Sequence, residues 1–294
     1  MLRVYWSATS VTAKSLNKPQ ILARDLETAV DLERALKLER EVWGFGDADV
    51  TPLALAIALK ASGALFIGAF EGEDLIGYTC AFPSLHPGQN GFHSHILAVR
   101  SSHRDLGIGF RLKLEQRKRV LGLAIPEITW TFDPLRSRNA HLNFAKLGVI
   151  SETYKIDFYG SRSSSPLHRS GTDRLWVRWK VADRRVEERL GGRDPRVEVF
   201  DALAHLEPLV AFNADGRPVK SDLVEALARR RIAIEIPGDM EAIESKDLDL
   251  ARQWRLATRG AFLEALRAGF VVTEFCRSIR GNQGPGAYLL EKKD

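Results

Sequence analysis

The stretch ILAVRSSHRDLGIGFRLKLEQRKR, residues 96–119, joins an apolar run, a glycine-bearing turn and a charged run at helical spacing. Gly107 and Gly109 carry no β-carbon, so the backbone there can come close to a bulky anion. Where a helix begins, unpaired N–H groups point outward and the dipole end is positive, which suits a pyrophosphate. Arg104, just ahead of the turn, can add a charge-assisted hydrogen bond. Neither alternative phosphate motif fits as well. The chain has no GxxxxGK[ST] sequence. The GxG follows a run of antiparallel strand candidates, where a dinucleotide fold would have the opening strand of a βαβ unit.

Working outward, QILAR (20–24) reads as a strand. DLETAVDLERALKLEREVWGF (25–45) reads as a helix, with Asp25 as its cap and Gly44 as its stop. TPLALAIALKASG (51–63) is a second helix, with Thr51 as cap and Pro52 at the first position. Three strand candidates follow at 64–72, 74–86 and 91–101, the first two joined by the turn residues EGED. After the motif helix come a strand (EITWTFDP, 127–134), a helix (SRNAHLNFAKLG, 137–148) and a strand pair (149–160 and 173–181). The polar segment between the last two, SRSSSPLHRSGT (161–172), reads as a loop.

This order, with Val99, Arg104, Gly107 and Gly109 at fixed spacing, resembles the GNAT superfamily of acyl-CoA N-acyltransferases over about residues 18–182. The resemblance implies an α/β (α+β) fold with a mixed, mostly antiparallel sheet flanked by helices. It implies acetyl-CoA or another acyl-CoA as cosubstrate, and no metal. The pyrophosphate would rest on the backbone of Leu106, Gly107, Ile108, Gly109 and Phe110. The strand at Leu97, Ala98 and Val99 would splay from EITWTFDP and hold the pantetheine arm and thioester. Asn139 is a further cofactor contact on this reading.

The implied chemistry is direct attack of a neutral amine on the thioester. A base assists the amine, and a donor can protonate the leaving thiolate. His93 and His95 are the base candidates. They are two apart on one strand and so share a face, and His93 stands six before Val99, a position used for a base in the family. Many family members carry a tyrosine four before the glycine that ends the later helix. Here that residue is Phe144, which donates no proton; Tyr154 or Tyr159 could substitute, or water could protonate the leaving thiolate. Asp105 is a second departure, since a carboxylate beside a pyrophosphate repels it unless it turns outward.

Composition bounds the rest. The 294 residues are enough for two domains, and 45% apolar with 28% charged is the balance of a soluble globular chain. No run approaches the roughly 20 apolar residues of a membrane helix, and the first nineteen residues contain no leader-like apolar stretch, so a cytoplasmic location is expected. The two cysteines, Cys80 and Cys276, read as reduced core thiols. A net charge of +5 and a pI near 9.2 suit a phosphorylated ligand or a nucleic acid. The basic runs 117–119 and 229–231 lack the aromatic interleave of an RNA surface, which argues against nucleic acid.

A charged stretch, ADRRVEERLGGRDPR (182–196), sets the expected boundary between an acyltransferase domain, 1–182, and a C-terminal α/β extension, 183–294. The extension reads as strand (197–203), turn (213–218), helix (221–230), strand (232–238), long helix (248–269) and two strands (270–278, 286–292). Strand, helix ending in glycine, strand loosely echoes the second half of a GNAT domain, as a partial repeat. Arg255 and Arg259 share a face of the long helix and read as a surface pair. The whole is similar to a long bacterial GNAT-like group, some members of which are associated with N-succinylation of amino acids. Small-molecule amines such as amino acids are therefore the expected acceptors, with Arg136, Arg138, Arg174 or Arg259 for a carboxylate. A catalytically silent acyl-CoA sensor is the rival reading, and a homodimer is open.

Overall fold

A computed structural model describes residues 21–46, 49–86, 89–160, 168–193, 196–277, 279 and 285–293. Residues 1–20 and the serine-rich part of the expected loop, 161–167, lie outside these. Ten strands form one sheet: β1 (Ile21–Asp25), β2 (Leu65–Glu71), β3 (Asp74–His86), β4 (Gln89–Val99), β5 (Glu127–Phe132), β6 (Ile150–Lys155), β7 (Arg174–Lys180), β10 (Arg231–Ile236), β11 (Phe270–Cys276) and β12 (Gly286–Lys292). Their order is β1-β2-β3-β4-β5-β7-β6-β11-β12-β10. Every neighbouring pair is antiparallel except β4 and β5. A separate hairpin, β8 (Val210–Phe212) and β9 (Pro218–Lys220), flanks it.

Helices α1 (Ala29–Trp43) and α2 (Leu53–Ala61) cover one face of β2–β4 around Leu32, Leu38, Tyr78, Cys80 and Ile96. The other face carries α3 (Ile108–Gly122), α4 (Ser137–Ala140) and, far along the chain, α9 (Leu248–Arg267). α4 runs on into a π-helical turn, His141–Lys146. There Val120, Trp130, Phe144, Trp179, Trp254, Phe262 and Tyr288 share one core. The polar tips of its large aromatics are satisfied: Trp130 Nε1 donates to Asn143, Trp179 Nε1 to the Leu147 carbonyl and Tyr288 Oη to the Pro134 carbonyl. No helix among the described residues is long and apolar enough to cross a membrane.

Several local expectations change. The cap of α1 is Thr28, whose hydroxyl accepts from Asp31 N while Asp31 accepts from Thr28 N; Asp25 instead ends β1. Pro52, not Thr51, caps α2, because the Thr51 hydroxyl is committed to Glu39. The motif helix begins at Ile108, two residues before the expected start. Residues 197–203 are helical, within α6 (Arg196–Ala204); Val199 and Leu203, four apart, bury one stripe against β11 and β12. The charged boundary stretch holds α5 (Arg184–Leu190), whose Arg185 and Arg189 both pair with Glu274. Two short helices complete the extension, α7 (Leu223–Ala228) and α8 (Met240–Lys246), the latter absent from the sequence reading.

The extension continues the sheet, with β11 seated on the β6 edge. The strand orders β5-β7-β6 and β10-β12-β11 mirror each other about the facing pair Ser151 and Val272. Both strands of that pair carry a register shift just past it, at Ser151/Thr153 and Val272/Glu274. Three residues before each lies a left-handed glycine, Gly148 at φ 71° and Gly269 at φ 86°, closing the preceding helix. β-carbons are disfavoured in that conformation, which explains glycine at both helix ends.

Candidate functional site

β4 and β5 are joined by only two residue pairs, Phe92–Ile128 and His93–Thr129. Gly91 makes this approach feasible, since a β-carbon there would lie 3.0 Å from the Glu127 carbonyl. Just beyond, the β3–β4 register shifts between Cys80–Ile96 and Ala81–Ser94, leaving His95 as an extra residue in β4. Such a bulge bends its strand. β4 therefore leaves β5, and past His93 and Thr129 the facing edges have no strand partner. Unpaired backbone edges can take an extended ligand by main-chain hydrogen bonds. Leu97, Ala98 and Val99 lie on that free stretch.

At the wide end of the opening the chain makes a single 3₁₀ turn, Ser101–His103, then passes through Asp105 (φ 64°) and Gly107 (φ 76°) into α3. The first amides of α3 have no intrahelical acceptor, as at any helix start. A β-carbon on Gly107 would meet nothing within 4 Å, so the space above this turn is open. Leu106 and Arg104 are exposed, Gly109 and Phe110 half-buried and Ile108 buried. The Asp105 carboxylate lies 3.7 Å from Arg138 on the first turn of α4, both well exposed, so it spans the two lips of the opening. Asn139 is exposed beside Arg138.

The opposite face of β4, β5 and β7 is where His93, His95 and Tyr159 come together. His93 Nδ1 lies 3.2 Å from Thr129 Oγ1 and its ring packs against Phe82 and Trp176. His95 also packs on Phe82. It is open to solvent yet walled by protein on most sides, and the loss of hydration lowers its pKa, partly opposed by Glu39. Tyr159, in the turn after β6, reaches Thr131 of β5 at 3.4 Å and stacks on His168. The two threonines are alternate residues of β5, so one strand presents both contacts on one face. A cavity of about 350 Å³ has Thr129 in its wall, with Trp176, Glu127, Arg178 and Glu152 among others; Thr131, His93, His95 and Tyr159 do not line it.

Neither Phe144, which stands at the family's donor position, nor Tyr154 reaches the opening. Phe144 is wholly buried between Phe132 and Tyr288. Tyr154 is buried with its hydroxyl on Asp173 at 2.7 Å. The Cys80 thiol, pushed by burial to a pKa of about 12, is no nucleophile.

The arginines separate clearly. Arg255, expected at the surface, is 2% exposed and grips Asp133 with both terminal nitrogens at 2.5 and 2.8 Å. Burial alone would raise the Asp133 pKa, but the Arg255 guanidinium holds it well below the usual carboxylate range. Arg255 also donates to Ser170, which in turn bonds Glu244, and Glu244 pairs with Arg136. Arg259 makes two bonds of 2.8 Å to Asp173. The described ends of the β6–β7 connection are thus tied to α8 and α9. Arg174 differs in having a neutral partner: it donates to His168 Nε2 at 2.6 Å and stands over the Tyr159 ring. Burial, with the Arg174 charge added, pushes the His168 pKa down to about 4, which keeps it a neutral acceptor.

Three cations of the two basic runs are engaged within the fold. Arg117 and Arg119 bind the Val181 carbonyl and Asp25, and Arg229 pairs with Glu225. Sequence reasoning missed Thr129, Thr131 and Trp176 as site walls. Their signal was strand alternation opposite the buried Ile128, Trp130 and Val177.

Residues 29–148 match the model of the acetyltransferase (GNAT) family. No curated protein matches the chain. Among solved structures, the chain is similar to the ribosomal-protein-S18-alanine N-acetyltransferase from Escherichia coli (13% identity, 56% of this chain, 96% of that one, TM-score 0.44). It is similar to an aminoglycoside 6′-acetyltransferase type Ii (21%, 56% and 99%, TM-score 0.44). A third is a GNAT family acetyltransferase from Elizabethkingia anophelis with acetyl-CoA bound (14%, 55% and 99%, TM-score 0.43).

Proposed function

We propose, from the match of residues 29–148 to the acetyltransferase (GNAT) family model, that the chain moves an acetyl or succinyl-type group from acyl-CoA to a primary amine of a small molecule such as an amino acid. The observation that carries this reading is the opening between β4 and β5, which starts at the His95 bulge and ends at the open turn over Gly107. The Leu106–Phe110 amides would take the pyrophosphate, and Leu97–Val99 the pantetheine arm. Arg104 and Asn139 are further cofactor contacts.

On the other face, His93 is the first base and His95 the second. A neutral imidazole takes the amine proton as nitrogen attacks the thioester carbonyl. The oxyanion is met by an N–H of the free β4 edge. Tyr159 borders the acceptor through Thr131. The acceptor wall is aromatic (Phe82, Trp176, Tyr159), with Arg174 behind it as the cation least neutralised by a carboxylate.

We further infer that residues 183–294 are a partial copy of the β5-α4-β6-β7 half. The mirrored strand order and the glycine pair support this. Its role is to close the β6 edge and tie down the acceptor loop through Arg255 and Arg259.

The test is release of coenzyme A thiol from acetyl- and succinyl-CoA with a panel of amino acids and simple amines. Amine-dependent release is expected, fastest with an aromatic or apolar amino acid. Tight acyl-CoA binding without release from any amine would instead favour a sensor, a reading that draws on Phe144 being buried away from the opening.

A further inference from the structure

Lys113 has no part in the chemistry described so far, and its surroundings are unusual. It rises from α3 with 2% of its surface exposed. Its Nζ donates to Ser94 Oγ at 2.7 Å and to Gln116 Oε1 at 3.1 Å, and lies 3.7 Å from the centre of the Trp130 ring. Among the described residues no carboxylate lies within ion-pair reach of it, and burial alone drives its pKa well below the ordinary lysine value.

The position is specific. Ser94 and Trp130 are the first residues of β4 and β5 past their last pair, so the amino group bridges the vertex of the opening. It does so from the α3 face, opposite His93. Its orientation is fixed by a directed chain: Gln116 Nε2 donates to Thr79 Oγ1, which donates to the Ile96 carbonyl. The Gln116 carbonyl oxygen is thereby turned toward Lys113. Two N–H groups go to oxygen and the third meets the indole face, so each has a partner, but none of the partners carries a negative charge. Leucine or methionine would fill such a space without the cost of burying a charge. A cation there gains a full partner only when an anion forms at the vertex.

We propose that Lys113 is the proton donor to the sulfur of the departing coenzyme A. The inference rests on the acyl-transfer reading above. Nitrogen of the amine bonds to the thioester carbonyl carbon, and its proton leaves to a base on the His93 face. The tetrahedral adduct then collapses, the C–S bond breaks and its electron pair stays on sulfur. One N–H of the Lys113 ammonium gives its proton to that sulfur, yielding coenzyme A thiol and an amide. The neutral amine regains a proton from water once the thiol has gone. A lysine whose pKa burial has lowered gives up its proton more readily than an ordinary one.

The test uses the full chain with Lys113→Met and Lys113→Arg. Its readout is the pH at which the thiol of bound coenzyme A ionises, followed by ultraviolet thiolate absorbance. In the wild type this is expected at least about one pH unit below the value measured for free coenzyme A in the same buffer. In Lys113→Met it should return to the free value or above, while Lys113→Arg keeps it low. Turnover in Lys113→Met should fall about 100-fold with little change in KM for acyl-CoA. An identical ionisation pH in the wild type and Lys113→Met overturns the proposal, whatever the turnover. Should Lys113→Met not fold, a wild-type thiol that ionises at the free value overturns it alone. Failure of the wild type to bind coenzyme A removes the acyl-transfer reading itself, and this inference with it.

Discussion

Arg255→Met is expected to lower the free energy of unfolding by about 3–5 kcal/mol, the usual effect of removing one partner of a buried ion pair. Asp133 is then left buried, with Arg136 as its remaining cation at 3.3 Å. Its carboxylate loses the two short bonds that hold its pKa down, and Ser170 loses a donor. Urea unfolding with an unchanged m-value measures the loss. Adding Asp133→Leu should recover part of it, because an apolar pair of similar volume avoids the desolvation cost. On the proposed function the single substitution should also raise KM for the amine while coenzyme A affinity holds, since Arg255 binds Ser170 at the described end of the connection that carries Tyr159. A variant as stable as the wild type would mean that the extension does not brace this site.

His93→Gln is expected to reduce kcat by about 10²–10⁴, the range for loss of a general base. Glutamine can keep a hydrogen bond to Thr129 and much of the packing against Trp176, so folding and acyl-CoA binding should persist. Wild-type activity should fall toward acid pH, where a protonated imidazole can no longer accept the amine proton. His95→Gln is expected to cost less than about tenfold, because His95 sits on the bulge and shares only the Phe82 contact with His93. Steady-state rates across pH decide this. Unchanged kcat in His93→Gln, or a larger loss in His95→Gln, contradicts the assignment.

The parts of this molecule legible in the sequence are those set by local rules. The apolar runs ALFIGAFEG and DLIGYTCAFPSLH, the EGED turn and the glycines at 107 and 109 act over a few residues, and each lies where local rules put it. Cap positions shifted because side chains had distant partners, as with Thr51 on Glu39. The VEVFDAL segment alternates like a strand, yet its Val199–Leu203 stripe finds an apolar patch on β11 and β12 that only the folded extension supplies. Arg255 looked like a surface cation because its carboxylate, Asp133, is 122 residues away in the chain. The bulge at His95 is invisible in sequence, being a property of pairing with β3. For the same reason Lys113 passed as one charge in a basic helix, although its neighbours Leu112 and Gln116 lie on the buried face.

The central claim is that the β4–β5 opening holds an acyl-CoA with its pyrophosphate on the turn at Gly107. Calorimetric titration of acetyl-CoA and succinyl-CoA into the wild type, Gly107→Ala and Gly107→Glu tests it most directly. Both substitutions bear the same backbone strain at φ 76°, about 1–2 kcal/mol, and the open space above the turn accepts either side chain. Only glutamate sets a carboxylate against the pyrophosphate. The account predicts micromolar binding to the wild type, a modest loss with alanine and a loss of about 100-fold or more with glutamate, some 2.7 kcal/mol. Equal affinities in the alanine and glutamate variants, or no binding to the wild type, would contradict it.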